Sequence, residues 1–153
     1  MAGLASSTAP SVIPSANWAG YVATGAAGGY TSVSSSWTEP TGRCGQGDQY
    51  SAFWVGLDGY SDSTVEQAGS EVDCSGGTAE YSAWYEMYPA GPVYFTNPVK
   101  PGDEFSVSVA YENNKFQVTL ADSTQGWSQS VSQALAIAER SSAEVVAEAP
   151  CCT

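Results

Sequence analysis

The stretch Phe105-Ser106-Val107-Ser108-Val109-Ala110-Tyr111 alternates large apolar and small residues with a period of two. Glu112-Asn113-Asn114-Lys115 then interrupts it, and Phe116-Gln117-Val118-Thr119-Leu120 resumes the alternation. A period of two is the mark of a strand with one buried face, and an Asn-rich break between two such runs is a turn. The stretch therefore predicts a β-hairpin over 104–120. Working outward, Asp122–Gly126 reads as the next turn and Trp127–Val131 as another strand. Tyr50–Leu57 and Tyr81–Tyr88 are aromatic-rich strands, and Ala19–Val22 and Tyr30–Thr38 are weaker ones. Many short strands separated by Gly, Asn, Asp and Pro predict an all-β sandwich or barrel. Ser132–Glu148 has helical propensity, but the sheet around it overrides that weak preference, and it reads as strand, loop, strand.

The 153 residues fit one domain, 15–153, preceded by a flexible Ala/Ser/Thr/Pro-rich lead-in over 1–14. That lead-in has no basic or apolar region, so it does not read as a signal peptide. The chain carries 16 acidic and 4 basic residues, a net charge of −12. Nucleic acid and anionic membranes need basic patches and are excluded as partners. No run of 18 apolar residues exists. The chain has no histidine, which removes Ser-His-Asp triads, Cys-His dyads and His-bound zinc. A histidine-free, acidic, Ser/Thr/Gly/Tyr-rich chain suits secretion into an acidic extracellular medium. Cys44 and Cys74 both read as loop residues, and a bridge between them would close a loop of about 30 residues, stabilising by roughly 2–4 kcal/mol. Cys151 and Cys152 pair elsewhere or stay free. A four-thiolate zinc site lacks C-x2-C spacing.

Strand periodicity also sorts the candidate site residues. Phe53, Val55 and Leu57 share one face of their strand, and Ala52, Trp54, Gly56 and Asp58 the other. Tyr81, Ala83, Tyr85 and Met87 oppose Ser82, Trp84, Glu86 and Tyr88 in the same way. A face carrying aromatics and a carboxylate suggests a concave binding surface. Glu144, Val146 and Glu148 share a face, where two such glutamates read as solvated; Gln67 taken by itself reads as a loop amide. These features fit an acid hydrolase or a carbohydrate-binding module equally.

Five motifs occur in one order: Asn17-Trp18-Ala19-Gly20, Trp54-Val55-Gly56-Leu57-Asp58-Gly59, Glu66-Gln67-Ala68-Gly69, Ala83-Trp84-Tyr85-Glu86-Met87-Tyr88-Pro89 and Ala143-Glu144-Val145-Val146-Ala147-Glu148. In this order, with Pro101-Gly102-Asp103 before the hairpin, the chain resembles the glutamic peptidases, or eqolisins, over about residues 15–148. The resemblance implies a concanavalin-A-like antiparallel β-sandwich, and a secreted endopeptidase that acts at acid pH on a polypeptide laid across the concave sheet. It implies no metal and no cofactor. By motif it places the catalytic pair on Gln67 and Glu148, substrate contacts on Trp18, Trp54, Trp84 and Tyr88, and supporting roles on Asp58 and Glu86. Glu148 would be general base to a water, and Gln67 would stabilise the oxyanion. Val145 and Met87 stand where aromatics are common in the family. The family also continues for several strands beyond Thr153, so the C-terminal strands are expected to be missing from this chain. A second fragment of the same precursor, cleaved near Cys151 and Cys152, is expected to complete the sandwich. The competing readings are a non-catalytic carbohydrate-binding sandwich and an inactive fragment.

Overall fold

The computed structural model describes residues 9–150. Cys151 and Cys152 lie outside the described residues, as do positions 1–8 of the lead-in. Residues 9–14 are exposed and belong to no strand. Ten strands follow: β1 Trp18–Thr24, β2 Ser32–Thr38, β3 Gln49–Leu57, β4 Val65–Ser75, β5 Thr78–Tyr88, β6 Val93–Tyr94, β7 Glu104–Glu112, β8 Lys115–Asp122, β9 Trp127–Gln133 and β10 Ser142–Glu148. No helix occurs among the described residues. The strands form two antiparallel sheets, in the order β1-β10-β3-β4-β5-β6 and β2-β7-β8-β9.

The hairpin is β7–β8, and Asn113 and Asn114 turn it with φ of 52° and 62°. Left-handed conformation at both central residues matches the twist of the strands, and Asn tolerates it. Val107 stands opposite Leu120 and Val109 opposite Val118 along this hairpin, Phe105 and Phe116 share their face, and all six are buried. They pack against Val55, Leu57, Ala68, Ala83 and Met87 of the larger sheet to make the core. Each fully buried Phe or Leu contributes on the order of 1.5–3 kcal/mol. The stretch 132–148 is strand, loop and strand, as the sheet around it predicts. Leu135 and Ala138 of the connection pack on the core, and β10 slots between β1 and β3.

Two expectations change. The sequence reading has no strand over 65–75, yet β4 lies in the interior of the larger sheet. Cys74 is accordingly a buried strand residue rather than a loop residue. Only Cys44 is in a connection, and the two form a disulfide. The bond ties the β2–β3 connection to the end of β4.

The larger sheet has a second apolar cluster on the face away from the core. Ala52, Trp54, Trp84 and Val146 are buried there, with Trp18 and Val65 against them.

Candidate active site

The outer face of the larger sheet is organised in cross-strand rows. Glu144, Gly56, Gln67 and Glu86 form one row, from β10 through β3 and β4 to β5. Val146, Trp54, Gly69 and Trp84 form the next, and Glu148, Ala52, Glu71 and Ser82 the one after. Residues directly opposite one another share a face, so Gln67, Glu86, Glu148 and both tryptophans converge on one surface.

Glycines make room for the tryptophan between the rows. A Cβ on Gly69 would lie 2.0 Å from the Phe53 carbonyl oxygen and 2.7 Å from Trp54 Cβ. A Cβ on Gly56 would lie 2.9 Å from Trp54 Cζ3 and 3.2 Å from Gln67 Cβ. The Trp54 indole therefore reaches over Gly56, beside Gln67. Its other edge turns to β10, where Trp54 Nε1 donates to Glu148 Oε2 at 2.9 Å. Asn17 Nδ2 donates to the other oxygen, Oε1, at 3.2 Å. Trp18 meets Trp54 edge to face, with centroids 5.0 Å apart. Glu148 opens onto a cleft of about 360 Å³ that Ser15, Asn17, Trp18 and Ser51 also line.

On the neighbouring row, Gln67 Nε2 donates to Glu86 Oε2 at 2.5 Å. Gln67 Oε1 is buried without a partner. Burial pushes the Glu86 carboxyl up, the Gln67 N–H opposes that, and the Glu148 charge adds to it. Glu86 thus holds its proton more tightly than an ordinary carboxyl. Two uncharged N–H groups hold Glu148 itself, and neither loses its proton in acid. The arrangement holds a hydrogen-bonded carboxyl, Glu148, on an open cleft and, elsewhere on the same sheet face, an amide, Gln67, with an N–H beyond the one given to Glu86. It can activate a water and stabilise a developing oxyanion.

The structure sorts the remaining site candidates. Trp54 and Trp84 are 1% and 5% exposed, so they support the surface instead of offering a face to stack on. Trp18 is half-buried, and Tyr88, 49% exposed, is the aromatic that presents itself to solvent. Asp58 lies apart from the pair, at the end of β3 with φ of 68°. Its carboxylate accepts from the backbone N–H groups of Arg140 at 2.7 Å and Ser141 at 2.8 Å. Burial works against the charge, but those two donors hold Asp58 below its ordinary value. It pins the backbone at the entry to β10. Glu144, expected to be solvated, is 1% exposed, and neither of its oxygens has a hydrogen-bond partner. Burial pushes it up to about 9, with the Asp58, Asp62 and Glu66 charges adding.

Two residues of this face went unassigned in the sequence. Glu71 lies across Ala52 from Glu148; it is buried, accepts from Ser82 Oγ at 3.1 Å, and is pushed up to about 7 by burial and then by Asp73. The signal was the period of two in Ala68, Ser70, Val72 and Cys74, which puts Gln67, Gly69 and Glu71 on the opposite face. Asn17 stands in a quoted motif, but only the pairing of Trp18 with Glu148 reveals its partner.

The sequence profile of a family described as the Peptidase A4 family matches residues 16–151. Aspergillopepsin-2 of Aspergillus niger is 31% identical in an alignment of 136 residues that covers 74% of this chain and 48% of that protein. The crystal structure of scytalido-glutamic peptidase with a transition state analog inhibitor superimposes with a TM-score of 0.74 at 28% identity, over 86% of this chain and 64% of that one. SCP-B, a member of the eqolisin family in complex with the tripeptide Ala-Ile-His, gives a TM-score of 0.67 at 25% identity, over 86% and 63%. The chain spans about half the length of the curated relative and under two thirds of these structures.

Proposed function

Because this chain belongs to the Peptidase A4 family, the glutamic peptidases, we propose that it hydrolyses peptide bonds in acid with Gln67 and Glu148 as its catalytic pair. Glu148, as carboxylate, takes a proton from a water that attacks the scissile carbonyl. A Gln67 N–H meets the oxygen on which negative charge develops, a donor that contributes roughly 2.7–4 kcal/mol. Glu148 then passes the proton to the departing amine. The observation that carries the reading is the Trp54 indole, which lies over Gly56 beside Gln67 and donates to Glu148. It makes two residues 81 positions apart parts of one surface.

The substrate is an extended polypeptide lying across the outer face of the larger sheet. Trp18 and Tyr88 are its aromatic contacts; Trp54 and Trp84 act from beneath. Their burial removes two of the indoles on this face as platforms for a sugar ring, which disfavours a carbohydrate-binding role. Secretion into an acidic medium is supported by the net charge of −12, the Cys44–Cys74 disulfide and the buried carboxyls that prefer to be neutral. A further segment of the same precursor is the proposed partner, completing the sandwich beside β1, an edge strand on which Tyr21 is 79% exposed.

The test is cleavage of an unfolded protein substrate at acid pH by the complete protein and by two variants. Gln67→Ala is expected to lose about 100- to 1000-fold in kcat. Glu148→Gln is expected to lose all activity. Parent-level cleavage by either variant would overturn the pair.

A further inference from the structure

We propose that Asn17 is a positioning residue for Glu148: its side-chain amide holds one carboxylate oxygen while Trp54 holds the other. The proposal rests on the reading of Glu148 as general base. Four observations place Asn17 in this role. Its Nδ2 donates to Glu148 Oε1, whereas Trp54 Nε1 donates to Oε2, so the two donors divide the carboxylate between them. The Asn17 backbone is fixed against the same residue's neighbour, because Ala149 N–H donates to the Asn17 carbonyl at 2.9 Å. The next residue, Trp18, pairs directly with Glu148 in the β1–β10 ladder. The turn into β1 is tied by Ser15, whose Oγ accepts from Trp18 N–H at 3.1 Å. Ser15, Asn17, Trp18 and Glu148 line one cleft, so the Asn17 amide borders the space where a water and a substrate would sit.

A carboxylate with one donor on each oxygen cannot rotate freely, and one lone pair on each oxygen stays available. An amide and an indole suit this task in acid, since neither changes charge there. Charge-assisted hydrogen bonds of this kind are the stronger class. The segment before β1 is therefore part of the catalytic apparatus, and its contribution is made through Glu148 rather than through substrate.

The test compares Asn17→Ala and Asn17→Asp in the complete protein, with kcat, KM and the pH profile read on one quenched-fluorescent peptide. Asn17→Ala is expected to lower kcat about 10- to 100-fold, as for a lost hydrogen bond to a charged group. KM is expected to stay within about twofold of the parent, and the acid limb of kcat/KM to move to higher pH, because a donor that favours the charged form is gone. Asn17→Asp is expected to recover much of kcat only below about pH 4, where the aspartic acid keeps a proton to donate. Above that pH it should fall below Asn17→Ala, because it then sets a like charge against Glu148. Parent-like kcat and acid limb in Asn17→Ala would overturn the proposal. So would an Asn17→Asp profile that parallels Asn17→Ala at every pH, or a loss of kcat matched by an equal loss of folded protein. Glu148→Gln separates the two levels. If it keeps parent activity, the reading of the base fails and the proposal with it; if it is dead while Asn17→Ala is unaffected, only the proposal fails.

Discussion

An indole carries its one polar group on a rigid frame, and Trp54 spends it on Glu148 Oε2. The ring cannot swing away, because Gly56 and Gly69 leave room for it in one place and Trp18 closes on it edge to face. Trp54→Phe keeps most of that packing and removes only the donor. It is expected to lower kcat about 10-fold or more, with little change in KM, measured on a peptide substrate in acid. Equal kcat in the variant would show that the N–H does nothing for catalysis. Residue types at this scale were legible. The aromatic face of β3 and β5, and the placing of Glu86 and Trp84 together, follow from period-two alternation alone. What alternation cannot tell is whether a side chain on a face is covered. Trp54, Trp84 and Glu144 were all expected at the surface. All three are buried, and for Trp54 the reason is visible: its indole folds over Gly56 of the neighbouring row.

β4 is the element on which the site turns, and it is the one that sequence reading missed. Val65-Glu66-Gln67-Ala68-Gly69-Ser70-Glu71 lacks β-branched and aromatic residues after its first position, so propensity argues against a strand. Its place is held instead by β3 on one side and β5 on the other, along its whole length. Glycine in its middle is normally a weakness in a strand, but here it lets β4 lie close against the Phe53 carbonyl and the Trp54 Cα and Cβ. Gly69→Ala is expected to cost at least about 1–3 kcal/mol, since the added methyl overlaps the Phe53 carbonyl and Trp54. A drop in the denaturation midpoint, accompanied by a change in tryptophan fluorescence, would register it; an unchanged midpoint would contradict the packing. The β7–β8 hairpin is the opposite case. Its alternation is clean and its turn residues are the ones its backbone needs, so its sequence alone predicts it.

For the whole molecule, the electrostatics favour acid. Burial first, and neighbouring acids second, push Glu66 up to about 8, Glu71 up to about 7 and Glu144 up to about 9. Glu39 is pushed up to about 7 by burial, with Asp103 and Asp122 adding while the Ser70 and Trp37 donors oppose. Unfolded, each titrates near 4.5. A carboxyl whose folded value is raised holds its proton more tightly in the native state, so stability is full below about 4.5 and falls as pH rises from there toward 7–9. The slope is about 1.4 kcal/mol per pH unit for each such group, an upper figure for groups that retain some solvent. Asp58 and Asp103 act the other way. Burial opposes their charge, but hydrogen bonds hold both below 3.8, and their contribution is lost as pH falls through their folded values. Thermal unfolding followed across pH should therefore peak near pH 4 and decline steeply toward neutrality, and Glu144→Gln should flatten the decline. A melting temperature that rises from pH 4 to 7 would contradict this. The sequence by itself determined the all-β class, the hairpin, the strand faces of β3 and β5 and, through its motifs, the peptidase family, because these depend on local periodicity and on short runs of residues. Only the tertiary structure decided that β4 is an interior strand, that Trp54 lies beside Gln67 and holds Glu148, that Asp58 serves the entry to β10, and that Glu144 is sealed away. Those outcomes depend on register between strands far apart in the chain and on what finally covers each side chain, and no local pattern encodes either.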